Sequence, residues 1–260
     1  MAARRALIYI VIGSLVLAAS AVAGLIIAKR MRTGKWERPT GDDLVWVKDR
    51  VQDKLGTRNP PGIIYLHRGK IALRGGRTDS HQDRSLIVGD SESDVANMPG
   101  FTSSNKRWKA IAACVEKLFA PFDVEVTQQR PKQRGYVMVV VGGRPQDLGG
   151  ERKHHAHARV GGLAPFSGSV VHDPVVFAFS RTLRNRTRAV CETIGMEVAH
   201  AYGLDHSYEC KDVMTYKNGC KKRFLDKDVR CGESKPRDCH GGGKTQNSYR
   251  HLLNVLGPRK

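Results

Sequence analysis

Acidic residues are scarce in this 260-residue chain: 25 Asp plus Glu stand against 44 Lys plus Arg, a formal net charge of +19. Proline is scarce too, at 11 residues, and 40% of the chain is apolar. Together these exclude a disordered or collagen-like chain and leave enough apolar side chain for a core of ordinary size. No C-x-x-C pair occurs, which argues against a zinc ribbon. No internal repeat and no basic platform interleaved with aromatics is present, so the positive excess, greatest after residue 131, does not read as a nucleic-acid module. Anionic envelope polymers or lipid are the more fitting acidic partners.

Ala6 to Ala28 is a 23-residue run without a charge, flanked by Arg4 and Arg5 before it and Lys29, Arg30 and Arg32 after it. That length spans a bilayer, and residues 1–30 are read as a transmembrane anchor. The alternative is a signal peptide cleaved after Ala21-Val22-Ala23, although the apolar run continues through Leu25, Ile26 and Ile27. The downstream positive flank favours the cytoplasm. The six cysteines, four of them between Cys210 and Cys239, favour an oxidising compartment, and residues 31–260 are therefore expected outside the cytoplasm, tethered or secreted.

Residues 31–61 are polar and basic, end in Asn59-Pro60-Pro61-Gly62, and read as a linker with a short helix at Leu44 to Leu55. Strands are expected at 63–66, 70–73, 124–127, 136–141 and 175–179, the fourth so uniformly apolar that both its faces must be covered. A helix capped by Ser104 runs to Phe119, with Trp108, Ile111, Ala112, Val115 and Leu118 on one face. A second long helix fits Thr182 to Tyr202, and a short one Ser248 to Leu256. This order of elements predicts an α/β (α+β) domain over residues 62–208, with a mixed twisted sheet and two long helices. An irregular, Cys-rich part follows over 209–260. The cysteines read as structural staples, with Cys231–Cys239 enclosing a short loop around Pro236, Cys210–Cys220 bracketing residues 211–219 and Cys114–Cys191 linking the two long helices, which is one of 15 connectivities.

The chemistry-bearing stretch is Met196-Glu197-Val198-Ala199-His200-Ala201-Tyr202-Gly203-Leu204-Asp205-His206. On a helix, positions 196 and 200 share a face and Glu197 projects beside them. Gly203 can take positive φ, stop the helix and return His206 toward His200. The pattern resembles the metzincin clan of zinc endopeptidases, in which H-E-x-x-H-x-x-G-x-x-H is followed by a methionine turn. Met214, eight residues after His206 in Asp212-Val213-Met214-Thr215-Tyr216, matches that turn. The resemblance implies a zincin-type catalytic domain that hydrolyses a protein or peptide substrate. His200 and His206 would be zinc ligands, Glu197 would take a proton from water and pass it to the leaving amine, and Tyr216 would donate to the oxyanion. Met214 would be a structural floor.

Met196 stands where the clan has its first histidine. A catalytic zinc takes three imidazole, thiolate or carboxylate ligands, whereas a thioether suits softer ions. Three outcomes stay open: zinc held with a substitute donor such as His154, His155, His157 or Asp205, zinc held weakly or another metal in its place, or an empty pseudopeptidase cleft that binds an envelope partner. The His154, His155 and His157 cluster otherwise reads as a solvated loop, and His240 as incidental.

Overall fold

The computed structural model describes residues 60–149 and 160–260. The expected anchor, most of the linker with its short helix, and His154, His155 and His157 lie outside the described residues. Among the described residues no helix is long and apolar enough to cross a membrane.

The chain folds as a mixed α/β structure around a five-stranded sheet of order β4-β1-β5-β7-β6. β1 (Ile63–His67), β4 (Glu125–Thr127), β5 (Tyr136–Val141) and β7 (Val175–Ala178) run parallel, and β6 (Gly162–Leu163) closes one edge antiparallel to β7. Parallel strands need crossovers that cover the sheet faces, and the six residues of β5 are accordingly all buried. Alternation along the strands sends Ile64, Leu66, Val137, Val139, Val141, Val176 and Ala178 into one core. Tyr65, Tyr136, Met138, Val140, Val175 and Phe177 enter the other.

Two helices cover the first face. α1 (Asn105–Phe119) starts at Ser104, whose hydroxyl accepts the Arg107 N–H at 3.3 Å. It buries Trp108, Ile111, Ala112, Val115 and Phe119. The cap relieves an otherwise orphaned backbone donor. α2 (Thr187–Ala201) packs beside α1, and the Cys114–Cys191 disulfide joins them. The opposite face is covered by an antiparallel pair, β2 (Ile71–Arg74) with β3 (Val95–Met98), which contributes Leu73, Ala96 and Met98.

Three expectations need correction. The second long helix begins at Thr187, not Thr182, because Arg184 and Asn185 adopt left-handed backbone (φ 52° and 51°) that no α-helix accommodates. The Asp- and Ser-rich stretch holds β3, and the glycine-rich stretch holds β6. β6 is only two residues long, and β3 alternates in burial while its exposed Val95 hides that period in the sequence. The Cys-rich tail is also more regular than expected: β8 (Val229–Arg230) pairs with β9 (Thr245–Gln246) ahead of α3 (Ser248–Leu256). His251 Nε2 donates to the Tyr202 carbonyl at 2.7 Å, so α3 braces the end of α2.

All six cysteines are paired, Cys114–Cys191, Cys210–Cys220 and Cys231–Cys239. The first closes a loop of 77 residues in sequence separation, the other two loops of 10 and 8. Loop entropy scales with the logarithm of that length. A Cys114→Ala/Cys191→Ala variant should lose about 4 kcal/mol of stability, and removal of Cys210–Cys220 about 2–3 kcal/mol. Denaturant midpoints under non-reducing conditions check this, and equal losses would contradict it.

Candidate metal and peptide cleft

α2 carries the site because its last turns are buried on all sides. From Ile194 to Ala201 every residue is buried, including Glu197 and His200. The helix ends at Tyr202, and Gly203 takes φ +95°. The Gly203 N–H donates to the His200 carbonyl at 2.9 Å and the Leu204 N–H to the Ala199 carbonyl at 3.0 Å, the paired bonds of a Schellman stop. A Cβ at 203 would also stand 3.1 Å from the Ser169 backbone carbonyl carbon, so both φ and space demand glycine.

The stop places His206 against His200. Their ring centroids are 4.4 Å apart with planes at 88°. His200 Nδ1 donates to the Leu204 carbonyl at 2.7 Å, which fixes the tautomer and leaves Nε2 as a lone-pair donor. Burial, followed by the neighbouring His206, pushes the His200 imidazole down to about 3. Burial also lowers His206, and its Nδ1 is buried without a hydrogen-bond partner. Two neutral imidazoles therefore face each other at neutral pH. Burial alone pushes Glu197 up to about 8. A cation shared by the two rings would offset the cost of ionising that carboxylate.

The methionine turn lies directly behind His206. The Ser207 N–H donates to the Met214 carbonyl at 2.9 Å, and the Met214 N–H to Asp212 Oδ1 at 3.0 Å. Ser248 Oγ donates to Asp212 Oδ2 at 2.9 Å, so the turn is anchored to the first residue of α3. Met214 is fully buried. Tyr216 follows in the open: its ring is 56% exposed and 4.4 Å from His206. Burial, then the charges of Glu197 and Glu233, push its hydroxyl up to about 12, so it remains protonated.

Met196, Glu197 and Tyr216 line one cleft of about 430 Å³ together with Gly162, Thr193 and Lys222. Its upper wall is β6. A Cβ on Gly162 would lie 2.6 Å from Glu197 Oε1, so only glycine lets this strand pass over the carboxylate. Sequence reasoning missed that constraint, whose one signal was Gly161-Gly162 inside a stretch read as loop.

Asp205, expected as a substitute donor, is committed elsewhere. Its Oδ2 accepts from Arg237 Nη1 (2.6 Å), His240 N (2.9 Å) and His240 Nδ1 (2.9 Å). Its Oδ1 accepts from His206 N (2.7 Å) and Arg237 Nη2 (2.8 Å). Burial opposes its ionisation, yet the hydrogen bonds from Arg237 and His240 hold it below the usual carboxylate range. His240 is thus a structural partner of Asp205, and its ring also lies 5.7 Å from Phe166, which in turn lies 5.4 Å from His200. Among the described residues Asp205, Cys231 and Cys239 form the one set of three potential ligand atoms within 4.8 Å. Both sulfurs belong to a disulfide and are not thiolates, so that set does not hold a metal.

The residues present fit a cation at two positions, His200 and His206. The third, Met196, one turn before His200, offers a thioether in place of the imidazole or carboxylate that zinc prefers.

Arg237→Ala leaves the buried Asp205 carboxylate without its main counter-charge and should cost about 2–3 kcal/mol. Arg250→Ala, which breaks only exposed pairs with Asp226 and Asp228, should leave the denaturation midpoint unchanged. Equal effects would show that Asp205 is not the hub. Burial, the largest influence, raises Asp212 to about 6. The folded state then holds a proton that the unfolded state releases between about pH 4 and 6, so this group's contribution to stability falls as pH rises through that window. The stability difference between wild type and Asp212→Asn should therefore move against wild type by about 2–3 kcal/mol from pH 4 to 7. A constant difference would contradict the buried carboxylate.

The chain matches no family model and no curated protein, so the assignment of this site rests on its own residues.

Proposed function

We propose that this chain is a metzincin-like zinc-dependent endopeptidase of an extracytoplasmic compartment, whose zinc is held by His200 and His206 with reduced affinity because Met196 is the third residue on that face. The observation that carries the reading is the pair of perpendicular imidazoles, 4.4 Å apart, at the end of the helix whose buried Glu197 has burial as the cause of its raised carboxyl. Support for the kinship comes from the helix stop at Gly203, the buried Met214 turn and Tyr216 next to His206. Support for the compartment comes from three disulfides and no free cysteine among six.

A bound zinc supplies Lewis-acid polarisation of a peptide carbonyl and of a water. The chain's own groups do the rest. Glu197, pushed up to about 8 by burial, is a strong base once a neighbouring cation favours its ionised form, and it would then accept a proton from water at its carboxylate and return it to the leaving amide nitrogen. The Tyr216 hydroxyl, exposed at the cleft and still protonated, donates to the carbonyl oxygen as charge builds there. β6 lies at the edge of the sheet, and an extended peptide adds to it as a further strand. Thr193, Met196 and Lys222 then surround the side chain that enters the cleft. Gly162 lets the bound strand lie close to Glu197.

One observation favours a second reading. The thioether of Met196 lowers zinc affinity, and without zinc the same cleft is a pseudopeptidase that binds a polypeptide in the envelope without cutting it. Loss of a supporting partner of a zinc ligand costs about 10- to 100-fold in affinity, and exchange of a ligand itself should cost at least that. Metal analysis and casein degradation by wild type and Met196→His separate the two. The proposal expects bound zinc to approach one per chain and cleavage to rise at least tenfold in Met196→His. If the variant gains neither zinc nor cleavage, the hydrolase reading is abandoned.

A further inference from the structure

A second, larger groove of about 1080 Å³ lies on the far side of the methionine turn, between the C-terminal half of α1, the 221–227 segment and α3. Its floor is apolar, formed by Leu118, Phe224, Leu225 and Tyr249. Its walls carry seven cationic side chains against three acidic ones. Each acid is already engaged: Glu192 by Arg188, Glu209 by Lys227, and Asp226 by Arg250 and Asn247. Lys117, Lys221 and Arg223 are exposed and form no ion pair among the described residues, and the exposed Lys211 shares Glu209 with Lys227. Lys222 belongs to this groove and to the cleft beside Glu197, so the two are neighbours joined at one side chain. Its ammonium is held there by the Thr215 carbonyl at 2.9 Å.

We infer that this groove is an exosite for an acidic polypeptide segment that also carries apolar side chains, contiguous with the stretch of the same polypeptide lying in the cleft. A basic rim without an apolar floor would suit a phosphate or sulfate polymer equally well. The half-buried Leu118 and Tyr249, seated on buried Phe224 and Leu225, are what select a peptide, because hydrophobic burial adds to charge pairing only for a ligand with apolar side chains. Three unpaired cations, with Lys211 beside them, are spread around one depression and match a run of Glu or Asp, and the exposed pairs formed there supply steering and a salt-dependent part of the affinity. The inference deepens the peptide-cleft reading by naming the substrate class, but docking does not require hydrolysis.

The test is fluorescence anisotropy of the purified full chain with a 12-residue labelled peptide alternating Glu with Leu and Phe, in the presence of a metal chelator. The expected result is saturable binding that weakens about tenfold in Lys117→Gln/Lys211→Gln/Lys221→Gln, with an unchanged melting temperature. Peptides with Gln for Glu, or with Ser for Leu and Phe, should each bind at least tenfold more weakly. Undiminished binding to the triple variant overturns the exosite. Equal binding of the Glu/Ser peptide, or of a sulfated polysaccharide, overturns the peptide assignment in favour of a simple polyanion surface. Because the chelator removes any metal-dependent step, this result is independent of whether Met196→His gains activity.

Discussion

The helix stop at Gly203 is the constraint on which the rest of the site depends. An α-helix holds His200 in place, but no continuous helix can present position 206 to the same point. The left-handed residue at 203 reverses the chain within three residues, and the paired Schellman bonds fix the angle of that reversal. Everything downstream serves to keep His206 where the stop sends it. Asp205 receives the His206 N–H, Arg237 and His240 lock Asp205, and the Cys231–Cys239 loop carries Arg237 and closes one residue before His240. The Gly232 N–H closes the arrangement on the His206 carbonyl at 3.0 Å.

This arrangement places polar groups where burial is costly. Two imidazoles kept neutral, an orphaned Nδ1 on His206 and a glutamate pushed up to about 8 all come from the buried end of α2 and the chain that follows it. Such a cluster is an expense to the fold unless a cation shares it, since each group is disfavoured by the same lack of water. The disulfides and the Ser248–Asp212 bond supply rigidity that makes the cluster tolerable. Met196 adds no further polar group to this cluster, because its side chain joins the core.

Much of this was legible in the residues. Val137, Val139 and Val141 alternate with Tyr136, Met138 and Val140 across a strand with no polar face, which only a sheet covered on both sides explains. Ser104 marked the start of α1, and the helix face from Trp108 to Val115 followed. Gly203, with histidines three residues to either side, carried the site geometry directly. What escaped was set by tertiary partners. β6 is two residues long and exists because β7 offers it an edge, and Gly162 matters because Glu197 lies beneath it. Asp205 looked like a spare ligand until Arg237, 32 residues away in sequence, was seen to claim it. The groove behind the methionine turn is likewise assembled from α1, α2, the 209–227 stretch and α3, and no local pattern announces it.

The central claim is that His200 and His206 share one cation. It is tested most directly by ¹⁵N-histidine NMR of the chain during titration with zinc chloride. The account predicts that the Nε2 resonances of His200 and His206 shift together and saturate at one equivalent, while those of His81 and His251 do not move. Shifts confined to one of the two rings, or to neither, would contradict it.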